Sequence, residues 1–440
     1  MRRTAIVIAG ALLLGACNLL PDYIGEAEAP PLPGKRLSVL VLENTPKPDP
    51  RIADLPVRLP RPVVNPDWAQ AGGNASHAMH HLKIPDALER AWKINIGAGD
   101  SDNRRLLATP VVAHGRVYTV DARGRISAFA AATGERQWYV NPATDEDDRD
   151  AFGGGLAYGG GRLYVTTGAG AVFALTADAG KLIWRTSVGM PIRTAPTLAG
   201  GRLFVITTEN QLIALDARNG GELWSHSGIA ETAQLMGGGS PSVAAGLVVA
   251  AYSSGEVYAI RADTGRVAWS DMLVSGLRTG ALSSLGDING SPVIDRDRAF
   301  AVSHAGRLVA ISLRTGNRLW EQDISGVQTP WVAGEFLFVL TTQGDVVCLS
   351  RRNGRIRWVQ PLPRYEDVEK RKRPIFWSGP VLAGDRLIVV SSHGEAVSLS
   401  PYDGTITGRI KLPDDIELPP VVADGTVYIL SNDGDLRALR

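Results

Sequence analysis

Cysteine is nearly missing from this 440-residue chain: there are two, Cys17 and Cys348. Two thiols build neither a disulfide framework nor a cysteine-rich metal site, and Cys348 reads most simply as a small buried apolar residue. Charge of one sign is missing too. With 46 basic and 45 acidic residues the formal net charge is +1, so no whole-chain field draws nucleic acid or an anionic surface. The densest basic cluster, Arg371-Lys372-Arg373, follows Glu366, Asp367 and Glu369, which largely cancel it, and reads as a solvated loop. Histidine is scarce. Of seven, only His77, His80 and His81 cluster; two of them at i and i+4 suit one helical face, but no cysteine or carboxylate cluster stands beside them to complete a metal site. The acidic run Asp145-Glu146-Asp147-Asp148 lacks the alternate spacing of a calcium loop. There is no His-Glu-x-x-His, no phosphate-cradling loop and no Gly-x-Ser-x-Gly. The expectation is a protein that is not an enzyme and holds no cofactor and no metal.

Long hydrophobic runs are also absent. The N-terminal run from Ala5 to Leu14, behind Arg2 and Arg3, is about half of the roughly 20 residues a bilayer span needs, so residues 1–16 read as a signal peptide. Leu14-Gly15-Ala16-Cys17 resembles the lipobox of bacterial lipoproteins, which implies acylation of Cys17 after cleavage. Three acyl chains, at about 0.8 kcal/mol per buried methylene, hold a protein on a membrane without a spanning helix. Asn18, where an aspartate commonly signals inner-membrane retention, implies the outer membrane. Residues 17–85 then read as a tether, because prolines from Pro30 to Pro62 favour extended, polyproline-like chain. Leu37 to Leu42 is apolar enough for a short added strand or a membrane-proximal contact.

What the chain has in abundance is one phrase, a small apolar strand, a turn with glycine, and a tryptophan four residues after that glycine. It recurs as Gly134 with Trp138, Gly180 with Trp184, Gly220 with Trp224, Gly265 with Trp269, Gly316 with Trp320, and Gly354 with Trp358. A period of roughly 40 to 50 residues is the mark of a repeat array. Each unit opens on a small residue and proline, as in Thr109-Pro110-Val111-Val112, and continues through a Gly turn into a second alternating strand, Val117-Tyr118-Thr119-Val120. The phrase supplies strands three and four. Such a four-stranded meander cannot bury both faces alone and must stack on its neighbours.

Six units carry the tryptophan, and a seventh has Gly408 in its place. The eighth starts at Pro420-Val421-Val422 and stops at Arg440, short of its outer strand. Arg90 to Ile96 reads as that missing strand, with Trp92 one period before Trp138. The predicted fold is all-β: an eight-bladed β-propeller over residues 86–440, closed by an N-terminal strand that completes the C-terminal blade and so removes free edges. The recurring position of the tryptophans assigns them to packing between blades.

The repeat Ala-x-Asp-x-x-x-Gly-x-x-x-Trp resembles the one first named in pyrroloquinoline-quinone (PQQ) dehydrogenases, over about 350 residues. Those enzymes resemble one another also in a vicinal disulfide and a longer chain, neither of which stands here. Lipobox, proline-rich tether, Trp68-Ala69-Gln70-Ala71-Gly72-Gly73 and eight PQQ-type repeats together resemble the BamB family, lipoproteins of the outer-membrane β-barrel assembly machinery. The resemblance implies a non-enzymatic scaffold on the periplasmic side of the outer membrane that binds the POTRA domains of BamA, with nascent outer-membrane proteins as possible clients. It also implies a binding surface of two loops: Met190, Ile192 and Arg193 before the third unit, and Asp287 and Asn289 before the fifth, where Asn289 departs from an Asp-x-Asp pattern. Both loops join a fourth strand to the next first strand, and such connections emerge on one face of a propeller. Two alternatives stand beside this: a PQQ-type dehydrogenase, which requires a central pocket with convergent carboxylates, and a propeller lipoprotein of another envelope complex.

Overall fold

The computed structural model describes residues 45–142, 153–192, 194–231, 237–273 and 287–440. The signal peptide, Cys17, the stretch to residue 44, the acidic run at 145–148, Arg193 and most of the loop from 271 to 290 lie outside the described residues.

Among the described residues, eight four-stranded antiparallel sheets form the blades of the fold. In blade 1 the strands Val111–Ala113, Arg116–Val120, Ile126–Ala130 and Arg136–Val140 run from the innermost to the outermost. Middle strands are flanked on both faces, so Phe336–Leu340 and Asp345–Ser350 of blade 6 are buried along their whole length. Outer strands alternate: Leu182–Ser187 of blade 2 buries only Trp184. Such patterns follow from stacking, since a blade's two faces each meet a neighbour and only its rim meets water. The apolar clusters accordingly sit between blades, as where Tyr118 and Ile126 of blade 1 join Leu156, Leu163 and Phe173 of blade 2.

The ring closes as the sequence predicts. Arg90–Asn95 pairs antiparallel with Asp435–Leu439, placing Trp92 opposite Ala438, and completes blade 8.

Each tryptophan of the phrase locks its blade to the next. The indole N–H of Trp92 donates to the carbonyl of Ala131 at 3.0 Å, Trp138 to Ala177 at 3.2 Å, and Trp184 to Ala217 at 3.2 Å. Trp224, Trp269, Trp320 and Trp358 repeat the bond to Ala262, Leu313, Arg351 and Pro401. The glycine of the following blade lies against the same ring: a Cβ on Gly134 would stand 2.9 Å from the Trp92 indole, and one on Gly265 would stand 2.8 Å from Trp224. Both glycines also have φ near +70°, at +75° and +71°, a region that costs other residues about 1 kcal/mol or more. Glycine and tryptophan are thus the two halves of one inter-blade contact. At the junction of blades 7 and 8 both halves are absent together: Gly408 replaces the ring, and Leu88 stands four residues before Trp92 where glycine would be.

The tether expected through residue 85 gives way, from residue 45 on, to packed chain. Asp49 N–H bonds Ile356 O at 2.8 Å and Arg357 Nε bonds Leu55 O at 2.7 Å, laying residues 49–55 along the outer strand of blade 6. The chain then makes one circuit of the innermost strands, which surround the propeller axis. Asn65 O accepts from Asp424 N of blade 8; Trp68 exchanges two bonds with Val112 of blade 1; Ala69 O accepts from Tyr158 N of blade 2. The Gln70 side chain accepts from Leu198 N of blade 3, and Ala75 and Ser76 accept from Val243 and Ile294 of blades 4 and 5. His80 O receives the Trp331 indole N–H of blade 6, and Leu82 pairs with Leu382 and Gly384 of blade 7.

Candidate partner-binding face

The loop before blade 3 and the loop before blade 5 do lie on one face, the face of the outer-to-inner connections. A third connection, Gly237-Gly238-Gly239 before blade 4, stands between them. A Cβ on Gly238 would stand 2.8 Å from Thr194 Cγ2, one on Gly237 would stand 3.5 Å from the Asn289 side chain, and one on Gly239 would stand 2.9 Å from Gly290 O. Ser240 ties all three together, its hydroxyl donating to Ala195 O at 2.8 Å and its amide to Ser291 Oγ at 3.0 Å. Together they rim a small cavity of about 30 Å3 bordered by Thr194, Thr207, Asn210, Gly237 to Gly239, Ser253 and Asp287. The glycine run carries no side-chain chemistry, so a search for motifs passes over it; its signal is that side-chain-free backbone lets three loops approach.

The five residues assigned to this face have different surroundings. Met190 is half-buried, and Thr208 N–H holds its loop by bonding Pro191 O at 2.9 Å. Ile192 is fully buried and packs with Trp184, Leu203 and Val205. Asp287 is 3% exposed, its carbonyl accepting from His304 N at 2.9 Å. Asn289 is half-buried. Ile192 and Asp287 therefore shape the loops from beneath, while Met190 and Asn289 reach the surface.

Beside this cavity lies a polar knot that the scattered histidines did not suggest. Glu256, 5% exposed, accepts from Ile229 N at 2.6 Å, Ser254 Oγ at 2.8 Å and Tyr258 OH at 2.9 Å. His226 Nδ1 lies 3.0 Å from Tyr252 OH. Burial lowers the His226 pKa and raises that of Tyr252, so the imidazole is neutral and the phenol protonated at neutral pH. Asn210 links the knot to the loops by donating to Ile229 O at 2.6 Å. The arrangement satisfies a buried carboxylate with neutral donors.

The three clustered histidines go to separate partners. His77 Nδ1 bonds Pro292 O at 2.8 Å, and burial pushes its pKa down to about 4. His81 bonds Pro60 O through Nδ1 and accepts from Asp385 N through Nε2, and His80 faces Asp295. Among the described residues no group of three or more His, Cys, Asp or Glu is placed to hold a metal ion. The axial cavity left beside the N-terminal circuit is about 70 Å3, against the roughly 300 to 1,000 Å3 of an ordinary small-molecule site. It is bordered by Trp68, His77, Trp331, threonines, glycines and prolines, with no carboxylate.

Comparison with known proteins follows the same lines. A family profile described as outer membrane protein assembly factor BamB matches residues 89–149, 122–360 and 366–440. The outer membrane protein assembly factor BamB of Shewanella oneidensis is 26% identical over 79% of this chain and 88% of its own length. That of Escherichia coli is 25% identical over 47% of this chain, which spans about half (50%) of that relative. Among solved structures, BamB from Moraxella catarrhalis superposes with a TM-score of 0.67 at 19% identity, covering 80% of this chain and all of the other. A quinohemoprotein alcohol dehydrogenase from Comamonas testosteroni superposes with 0.65 at 13% identity, covering 85% of this chain and 80% of the other. At such identities the two superpositions speak for the fold alone.

Proposed function

The chain belongs to the family of outer membrane protein assembly factor BamB, and on that premise we propose that it is a periplasmic scaffold of the β-barrel assembly machinery, lipid-anchored through Cys17, that holds the POTRA domains of BamA on the face described above. It is a non-enzymatic, outer-membrane-associated propeller. The observation that carries the reading is the convergence of three connections, before blades 3, 4 and 5, on one face through Ser240. Met190 and Asn289 offer contact, Arg193 supplies a charge by the family pattern, and Ile192 and Asp287 hold the loops in shape.

The quinone-enzyme alternative finds no support in the axial cavity, which is small, lacks carboxylates and is bordered by the chain's own residues Trp68 and His77. The test is a titration of purified BamA periplasmic domains into the full-length protein. The proposal requires saturable binding that Arg193→Glu or Met190→Glu weakens at least tenfold, with unchanged thermal stability. Binding that neither change affects would remove this face from the account.

A further inference from the structure

One sheet among the described residues is not a blade. Tyr365–Asp367 pairs with Lys372–Pro374 as a two-stranded hairpin. It is inserted between the outer strand of blade 6, Ile356–Pro361, and the inner strand of blade 7, Trp377–Ala383. That is the same class of connection as the loops before blades 3 and 5, so it projects from the same face.

A lone two-stranded hairpin is marginal in water. Here its base is welded to the ring. Ile375 N–H bonds Arg364 O at 2.9 Å, Trp377 Nε1 bonds Pro363 O at 2.8 Å, and Phe376 exchanges bonds with Ser392. Arg364 reaches Gln343 at 2.9 Å, and Glu366 pairs with Arg373 at 2.9 Å and faces His393 at 3.5 Å.

The tip is the reverse of the base. Lys370, Arg371 and Lys372 are exposed and have no acidic partner among the described residues; the exposed Glu369 beside them forms no ion pair there either, and the Asp367 carboxylate is turned to the Lys370 amide, so three cations stand against one free carboxylate at the turn. Val368 is 72% exposed and Phe376, at the foot, 63%. Arg371 and Arg373 hold φ of +50° and +55°, where glycine or asparagine sits more cheaply. The turn itself does not ask for arginine there.

We propose that this hairpin is a second arm of the partner-binding face, fitted to an acidic protein surface with a shallow apolar recess. Lys370, Arg371 and Lys372 meet carboxylates and Val368 enters the recess. This rests on the function proposed above, and the occupant is the same periplasmic partner. A rigid base with free charges at the tip favours fast, salt-sensitive capture over tight grip, because rim charges act mainly on the association rate.

The test is stopped-flow association of the full-length protein with purified BamA periplasmic domains at low and at physiological salt. The triple change Lys370→Glu, Arg371→Glu, Lys372→Glu is expected to lower the association rate at low salt about tenfold or more and to flatten its salt dependence, with the dissociation rate nearly unchanged. Val368→Ser is expected to raise the dissociation rate a few-fold. Because the Lys370, Arg371 and Lys372 side chains form no hydrogen bond or ion pair with a blade among the described residues, the melting temperature should hold. A triple variant that associates like the wild type, with the same salt dependence, overturns the inference and leaves the three-loop face standing. Failure of the wild type to bind the partner at all instead overturns the underlying function and the inference with it. Co-sedimentation with phosphatidylglycerol vesicles, lost in the triple variant, while the partner's association is unaffected, would make the tip a lipid contact and overturn the protein-partner assignment.

Discussion

Gly134 lies under the indole of Trp92, in the blade next to it in the ring, so close that an added Cβ would stand 2.9 Å from the ring. The same pairing joins Gly180 to Trp138, Gly220 to Trp184 and Gly354 to Trp320. The recurring phrase is therefore half of one contact and half of the next, and its regular spacing is the spacing of the blades.

Gly134→Ala is expected to destabilise the fold by about 2 to 4 kcal/mol, from overpacking against the indole together with a left-handed backbone. Gly408→Ala is the control. Its Cβ would find nothing closer than Ser398 Cβ at 4.0 Å, so the change should stay within about 0.5 kcal/mol. Denaturant unfolding of the two variants checks this, and equal losses would contradict the lock.

The N-terminal circuit makes a second prediction. Trp68 is 4% exposed and stacks on Trp331 at 6.3 Å, so Trp68→Ala should cost about 3 to 5 kcal/mol. In native-state hydrogen exchange the amides of Val112, Tyr158, Val243 and Ile294, which donate to the circuit, should be protected to nearly the same degree as the middle strands. Fast exchange at all four would mean that residues 65–82 leave the axis readily.

Stability should also fall in mild acid because of His77. Its pKa is lowered from 6.5 to about 4 by burial, so between these values the unfolded chain takes up a proton that the folded one refuses. The stabilisation is complete above about pH 6.5 and is lost progressively down to about pH 4, a difference of roughly 3 kcal/mol. Asp49 and Asp216, held near 2 by their arginine neighbours, act only below that window. His77→Asn keeps a donor near Pro292 O and tolerates the φ of +60°; urea titrations should show a flatter pH profile from 6.5 to 4.

Asn289 offers a gain-of-function check. If the partner presents a cation there, Asn289→Asp should tighten binding by up to about 1 kcal/mol at low salt and less at high salt, measured by the same titration as the loop variants.

Blade count and closure were legible because the phrase is local and repeated: Gly408 and Trp92 could be placed by arithmetic. The circuit of residues 65–82 was not, since each of its bonds goes to a different blade and leaves no two-residue periodicity. Ile192 shows a similar limit. An apolar residue in a surface loop reads as a contact, but here it is buried among Trp184, Leu203 and Val205, and burial at that depth is decided by the neighbouring blade. The basic run at 371–373 read as a cancelled, solvated loop; only Arg373 is paired to Glu366, and the order of the hairpin comes from residues 364 and 377 outside the run.

The most direct test of the scaffold account is affinity isolation of the full-length protein from detergent-solubilised outer membranes, with its partners identified by mass spectrometry. The account predicts that BamA is recovered with the wild type and is depleted when Arg193→Glu is combined with Met190→Glu. Recovery of a different envelope complex, or of BamA undiminished with the double variant, would contradict it.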